Sequence, residues 1–314
     1  TRKESSAASD VYKRQLVLYE LSDKLFFLTN LLKKKKFPKV LMLSGKKGIG
    51  KSTLINHFIT YVYDHSNYDL KNNIINNQTT FYKQYLNNTF LDVIYLEGLS
   101  YKSVKIDDIR NIKSTLLKSS LSEKNRFVIL NDVELFNTNS LNALLKIIEE
   151  PSANNFFILI NNQTKPLIRT IHSRSIEVKI SLSNFKRESI IKTLIKKRNI
   201  ETHLDYKTSD LTPGNYLFFN DICIKNSIDI NDDYVEVLKK LLFLYKKNKE
   251  LNVINFILFL TDCYFYKLYK NKDSSIDKIY DNKTHVINNI NKFVTYNLNQ
   301  NSLINSINNK LSNG

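Results

Sequence analysis

Between Gly45 and Ser52 the sequence reads GKKGIGKS, and three of the chain's six glycines fall within these eight residues. The spacing G-x-x-x-x-G-K-S is that of a phosphate-binding loop when a strand precedes it and a helix follows. Both neighbours are present. KVLMLS, bounded by Pro38 and Gly45, has the apolar run of a short buried strand, and KSTLINHFITYVY carries apolar residues at helical spacing. Such a loop lets the successive N–H groups of Gly45, Lys46, Lys47, Gly48, Ile49 and Gly50 turn inward at phosphate oxygens. The start of the next helix, through Ser52 and Thr53, adds positive potential. Lys51 is placed to meet the β- and γ-phosphates of a nucleotide, and Ser52 to ligate magnesium. Hydrolysis would also require an acidic pair at the end of a second strand, one residue holding the metal and the next orienting water. The candidate stretch is FVILNDVELF, where the pair reads Asn131 and Asp132.

The elements that must position these residues follow an alternating order. From Leu16, LVLYELSDKLFFLTNLL has helical spacing, then come the strand, the glycine loop and the helix already named. An Asn-rich polar connector runs roughly from Asp64 to Asn88. Beyond it LDVIYLEG, RFVILND, NFFILINN and SIEVKI read as strands, separated by IDDIRNIKSTLLKSS, TNSLNALLKIIEE (stopped by Pro151) and KPLIRTIHS as helices. Five strands alternating with helices imply an α/β unit, residues 16–180, with a parallel sheet covered on both faces. Residues 181–230 read as short helices around a Pro213-Gly214 turn, and 231–314 as longer amphipathic helices such as YVEVLKKLLFLYKK and VINFILFLTDCYFYKLY. Residues 1–15 show no apolar periodicity and are expected to be a non-native extension.

Hydrophobic residues make up 42% and charged residues 25%, the proportions of a folded chain rather than a disordered one. The net charge of +17 comes from lysine spread along the whole sequence, so a run such as Lys33–Lys36 reads first as a solvated face. Cys223 and Cys263 lie far apart in apolar stretches; they suit buried thiols in a reduced, cytoplasmic protein and cannot build a metal cluster. Val253–Leu268 is interrupted by Asn255, Asp262 and Lys267 and is too short for a membrane span, so it reads as a core helix. His57, on an apolar helix face, reads as structural.

FVILNDVELFNTNSLNALLKIIEEP followed by FFILINNQTKPLIRTIHSRS resembles the AAA+ subunits of bacterial DNA polymerase III clamp loaders, and with the loop the resemblance covers about Leu16 to Glu177. The helical remainder fits a small lid (181–230) and a collar domain (231–314) that joins subunits. Within the group the resemblance is closest to the delta-prime subunits, because of FPKVLMLSGKKGIGKSTLINHF and three departures. Where hydrolysing subunits carry Asp-Glu, this chain has Asn131 and Asp132, an amide that is a poorer magnesium partner and a shortened acid. The lid's sensor arginine is met by Asn215. The interval from Tyr61 to Arg126 has no cysteine, so the four-cysteine zinc module of many relatives is absent. The resemblance further implies that Arg174 of HSRS projects in trans into a neighbouring subunit's nucleotide, as a planar guanidinium that clamps a phosphoryl group. Asn161 or Asn162 resembles the polar sensor at the end of the next strand, or is a turn residue there, and Glu149 and Glu150 suit the family's helix end or are solvated.

The reading favoured by these residues is a delta-prime-like subunit that binds ATP or ADP and supplies Arg174 for clamp loading on primed DNA, with weak hydrolysis of its own or none. Its partners would be gamma/tau and delta subunits, the sliding clamp and, non-specifically through lysine, the DNA backbone. An autonomous, gamma/tau-like ATPase with Asp132 as working acid is the alternative. A P-loop nucleotide kinase fits less well, since no arginine-rich lid accompanies the loop.

Overall fold

A computed structural model describes residues 15–98, 104–117, 125–207, 209–271 and 275–312. The expected extension at 1–15 lies outside the described residues except for Gln15, as does the tail of the helix expected to reach Ser120. The chain forms two compact units, the first comprising residues up to Asn199 with Tyr206–Tyr216, the second Ile200–Asp205 with the residues from Leu217 onward.

The first unit opens with α1 (Ser22–Lys33), β1 (Val40–Ser44) and α2 (Lys51–Tyr63), then a hairpin of β2 (Tyr68–Asp69) and β3 (Ile74–Ile75), and α3 (Thr80–Leu86). There follow β4 (Val93–Glu97), α4 (Ile106–Leu117), β5 (Arg126–Asn131), α5 (Thr138–Ile148), β6 (Asn155–Asn161), α6 (Arg169–His172), β7 (Ile176–Lys179) and α7 (Asn184–Arg198). Five of the strands form one sheet in the order β4-β5-β6-β1-β7, every pair parallel. Alternate side chains of each central strand enter opposite faces. Leu41, Leu43, Phe127, Ile129, Ile158 and Ile160 join the core beneath α1 and α2, while Met42, Val128, Leu130, Phe157 and Leu159 join the core beneath α4 and α5. On the first face Phe37 stacks on Phe58 at 5.2 Å and Phe127 on Phe156 at 5.5 Å. This two-sided burial is why β1, β5 and β6 read as continuous apolar runs.

Three local expectations are corrected, and the polar connector acquires elements that its sequence did not announce. Leu16–Leu18 are extended and not the start of α1: Val17 bridges Ile74 in antiparallel fashion, and Ile75 N–H donates to the Leu16 carbonyl at 2.9 Å. The polar connector is folded, because its sparse aromatics reach the core. Tyr68, Ile75, Tyr82 and Tyr85 are all buried, and the Tyr85 hydroxyl donates to Asn56 Oδ1 at 2.6 Å. The helix expected over 165–173 shrinks to α6, since Pro166 and the extended Ile168 lay Leu167 and Ile168 onto the core instead. Pro213-Gly214 opens a 13-residue helix, α8 (Pro213–Lys225), where it was read as a turn between short helices; proline at a first helical position gives up an N–H that has no intrahelical partner anyway.

The second unit is all-helical: the rest of α8, then α9 (Tyr234–Asn248), α10 (Leu251–Asn271), α11 (Ile276–Tyr296) and α12 (Gln300–Ser312). From α9 onward successive helices pack together, and α12 returns to α9. Leu241, Phe256, Val286, Ile290, Phe293 and Ile307 are buried in it, with Phe219 stacked on Phe256 at 4.5 Å. Cys223 is buried and its thiol is pushed up to about 12, whereas Cys263, expected to be buried, is only half-buried. Among the described residues no helix is long and apolar enough to cross a membrane.

Replacing Tyr85 by Phe leaves Asn56 Oδ1 without its donor in a dry site, which is expected to lower the unfolding free energy by about 1–3 kcal/mol. A urea melt of the variant measures this, and a connector lying loose on the surface would give no change.

Candidate functional site

The register of the sheet decides which residues can meet. Ser44 lies opposite Asn161 and Lys179, and Asn131 lies opposite Ile160 and Glu97, so the carboxyl ends of all five strands finish in one row. The glycine loop leaves β1 at this row. Gly48 and Gly50 have φ of +84° and +100°, values that side-chain-bearing residues rarely adopt. Gly50 caps α2, and a Cβ at Gly48 would come within 2.5 Å of Thr212 Oγ1 and 2.9 Å of the Asn215 nitrogen. Glycine is required at Gly48 both for its angle and for its space.

Lys51, the first residue of α2, is only 2% exposed. Its Nζ folds back over the loop and donates to the carbonyls of Gly45, at 2.6 Å, and Lys46, at 2.9 Å. Burial pushes the ammonium down to about 7, against the upward pull of Glu134 and Asp132 and with a smaller downward push from Lys47. Ser52 is half-buried and Thr53 buried in the same first turn, with Ile49 packed under the loop.

At the end of β5, Asp132 is buried and sits in the left-handed region at φ +51°. Its Oδ1 accepts from Asn162 Nδ2 at 2.7 Å and lies 3.5 Å from Lys47 Nζ. Lys47, Lys51, Asp132 and Asn162, all singled out from the sequence, thus belong to one constellation. Asn131 faces away from it, its Nδ2 donating to Glu97 Oε1 on β4 at 3.0 Å. Asn161, the other sensor candidate, instead accepts the Gln163 N–H at 2.9 Å. Sequence reasoning passed over Glu134. This buried carboxylate takes the Asn162 N–H at 3.1 Å and the Thr164 hydroxyl at 2.8 Å, fixing the end of β6 beside Asp132. The available signal was an acid embedded in an otherwise apolar stretch. His57 lies outside the site, buried, hydrogen-bonded to the Tyr68 hydroxyl at 2.9 Å and held neutral by burial, its pKa near 3.

Beside the loop lies a cavity of about 470 Å³, lined among others by Lys46, Ile49, Ile180, Leu182, Thr212 and Pro213. Its volume and mixed lining suit a nucleoside-sized ligand. The fit to nucleotide phosphates rests on Lys51, a buried cation whose hydrogen-bond acceptors are neutral carbonyls. The fit to magnesium is poorer, because the first position of the acidic pair is an amide already bonded to Glu97.

Arg174 follows α6 and is 36% exposed at its side chain. Nη2 and Nε both meet Glu149 Oε1, at 2.7 and 2.8 Å, and Nη1 reaches the Thr170 carbonyl at 3.3 Å. Glu149, read from the sequence as a helix-end or solvated acid, is therefore the partner of this guanidinium, and neither residue joins the loop constellation.

A parallel sheet with strand order β4-β5-β6-β1-β7, a glycine phosphate loop after β1 and polar residues closing β5 and β6 define a P-loop unit of the AAA+ class. The family model described as DNA polymerase III, delta subunit, matches residues 22–184, and the chain belongs to this family of clamp-loader proteins. It is 30% identical over 159 residues to the DNA polymerase III subunit delta' of Buchnera aphidicola subsp. Baizongia pistaciae, covering 50% of this chain and 46% of that one. To the DNA polymerase III subunit gamma of Buchnera aphidicola subsp. Acyrthosiphon pisum it is 27% identical over 165 residues, covering 51% and 44%. The chain thus spans about half the length of the curated relatives it matches. A crystal structure of a DNA polymerase III gamma subunit-related protein from Thermotoga maritima is 16% identical and superposes with a TM-score of 0.48, covering 92% of this chain and 98% of that one.

The depressed Lys51 value has a definite sign. Between about pH 7 and 10.5 the unfolded chain binds the Lys51 proton more readily than the folded one, so this residue costs stability most at and below pH 7, and the cost fades as pH rises through that window. The denaturation midpoint of ligand-free Lys51→Met, relative to the parent chain, is therefore expected to be highest near pH 7 and to fall as pH approaches 10. A difference that does not vary with pH would contradict the assignment.

Proposed function

We propose that this chain is a delta-prime-like subunit of a DNA polymerase III clamp loader, which holds an adenine nucleotide at Gly45–Thr53 and supplies Arg174 to the nucleotide of a neighbouring subunit. The observation that carries the proposal is an asymmetry between two sites. The phosphate loop is fully built, yet the pair beside it is already engaged, Asn131 by Glu97 on the next strand and Asp132 by Asn162 and the loop's own Lys47. Arg174, by contrast, stands at the surface with its fork oriented by Glu149.

In this reading the N–H groups of the loop after Gly45, whose own N–H donates to the Asn161 carbonyl at 3.2 Å, and of the first turn of α2 take the phosphate oxygens, and Lys51 exchanges its two carbonyl acceptors for them. Apolar Ile49, Ile180 and Leu182 line the cavity for the base. Bound magnesium would neutralise phosphate charge, with the Ser52 hydroxyl as its protein ligand. To orient a water, Asp132 would have to leave Asn162 and Lys47, which supports slow hydrolysis or none in this chain. Residues 181–230 would serve as the lid and 231–314 as the collar that joins gamma/tau and delta subunits. The assembly would place the sliding clamp on primed DNA, to whose backbone the surplus lysine adds salt-sensitive attraction.

The test is ATP turnover by a reconstituted loader in the presence of clamp and primed DNA. Arg174→Ala is expected to abolish the contribution of the site it serves, a loss of ~10³–10⁵ there, while Lys51→Ala changes turnover little. The reverse pattern, with turnover by the isolated chain that depends on Lys51, would establish instead the gamma/tau-like motor for which Lys51, Asp132 and Asn162 are gathered in one place.

A further inference from the structure

The phosphate loop is fastened from outside by a segment far along the chain. The Thr212 hydroxyl donates to the Lys47 carbonyl at 2.7 Å, and the Gly214 N–H donates to the Gly48 carbonyl at 2.8 Å. In a trans peptide the C=O and the following N–H are fixed on opposite sides of one plane. Holding the Lys47 carbonyl on Thr212 therefore turns the Gly48 N–H away from the segment. Holding the Gly48 carbonyl on Gly214 does the same for the Ile49 N–H.

The close approach is specific to this segment, since the atoms that a side chain at Gly48 would strike are Thr212 Oγ1 and the nitrogen and Oδ1 of Asn215. The hydroxyl has its roles divided: its oxygen accepts the Asn215 N–H at 3.4 Å, and its single proton goes to Lys47. The segment is anchored in turn. Arg187 of α7, 6% exposed, donates to the carbonyls of Tyr206, at 3.1 Å, of Leu211, at 3.3 Å, and of Ser209.

We propose that Thr212 is a positioning residue for phosphate recognition, its hydroxyl locking the Lys47–Gly48 peptide so that the Gly48 and Ile49 N–H groups enter the loop's concave face, with Arg187 holding the strap that carries it. The inference rests on the nucleotide reading of the loop, and it assigns to residues 206–214 the task of pre-setting amides that a loop of three glycines would otherwise leave mobile.

Calorimetric titration of the full chain with ADP and with inorganic tripolyphosphate tests it. Thr212→Val is expected to weaken both ligands about tenfold, the worth of one hydrogen bond in binding, and Thr212→Ser to restore both to within about twofold. Loss of the Asn215 contact alone would appear in the melting temperature of the ligand-free chain without separating the two probes from the parent's values. Damage to the base cavity would lower ADP affinity and leave tripolyphosphate unchanged, which overturns the proposal, as does unchanged affinity for both. Should Thr212→Val fail to fold, Thr212→Ala takes its place, and amide exchange on the parent chain gives a second measurement: ADP must slow exchange at Gly48 and Ile49, and unaltered exchange there refutes the role. A parent chain that binds neither probe removes the nucleotide reading itself, an outcome distinct from equal binding by parent and variant.

Discussion

Parallel pairing of β1 between β6 and β7 is the constraint from which the site follows. Right-handed crossovers return each strand in the same direction, so all the carboxyl ends lie along one edge of the sheet. Whatever follows Ser44, Asn131 and Asn161 must share that edge. A register slip of one residue would turn Leu41, Leu43, Phe127 and Ile129 from one face to the other and exchange the two cores, so hydrophobic packing enforces the alignment that the polar residues use. The chemistry at the edge is thereby held by the apolar residues beneath it.

The charges at that edge are nearly balanced. Lys47 and Lys51 face Asp132 and Glu134, and amide side chains and N–H groups from β6 take up the remaining acceptors. Asn131 has a place in this balance. Its amide donates to Glu97 at 3.0 Å, and an aspartate there would set two carboxylates against each other in a largely dry place. The amide of Asn131 and the acid on the next strand therefore belong together physically.

Much of this was legible in the amino-acid order. The glycine octet, the run FVILND and the alternation of apolar strands with helices pointed to Lys47, Lys51, Asp132 and one of Asn161 and Asn162, because buried strands and phosphate loops both leave dense local signals; the structure brings Asp132 to Lys47 and to Asn162. Residues whose roles depend on distant partners were harder to see. Thr212 gains its meaning from Lys47, 165 residues away, and Glu149 from Arg174. The connector holding Tyr82 and Tyr85 was assigned no elements of its own because its buried aromatics are spaced among asparagines with no regular period. The short α6 and the extended Leu16–Leu18 were hidden for a related reason: tertiary contacts overrode a helical spacing that was present in the letters.

The folded-back ammonium of Lys51 carries one more consequence. With its pKa pushed down to about 7 by burial, the group is only partly charged in neutral buffer. An anion that takes the place of the two carbonyls favours the charged form, so its arrival draws a fraction of a proton from solvent. Occupancy of this loop is thus a proton-coupled equilibrium, and the heat measured on filling it will depend on the ionisation enthalpy of the buffer.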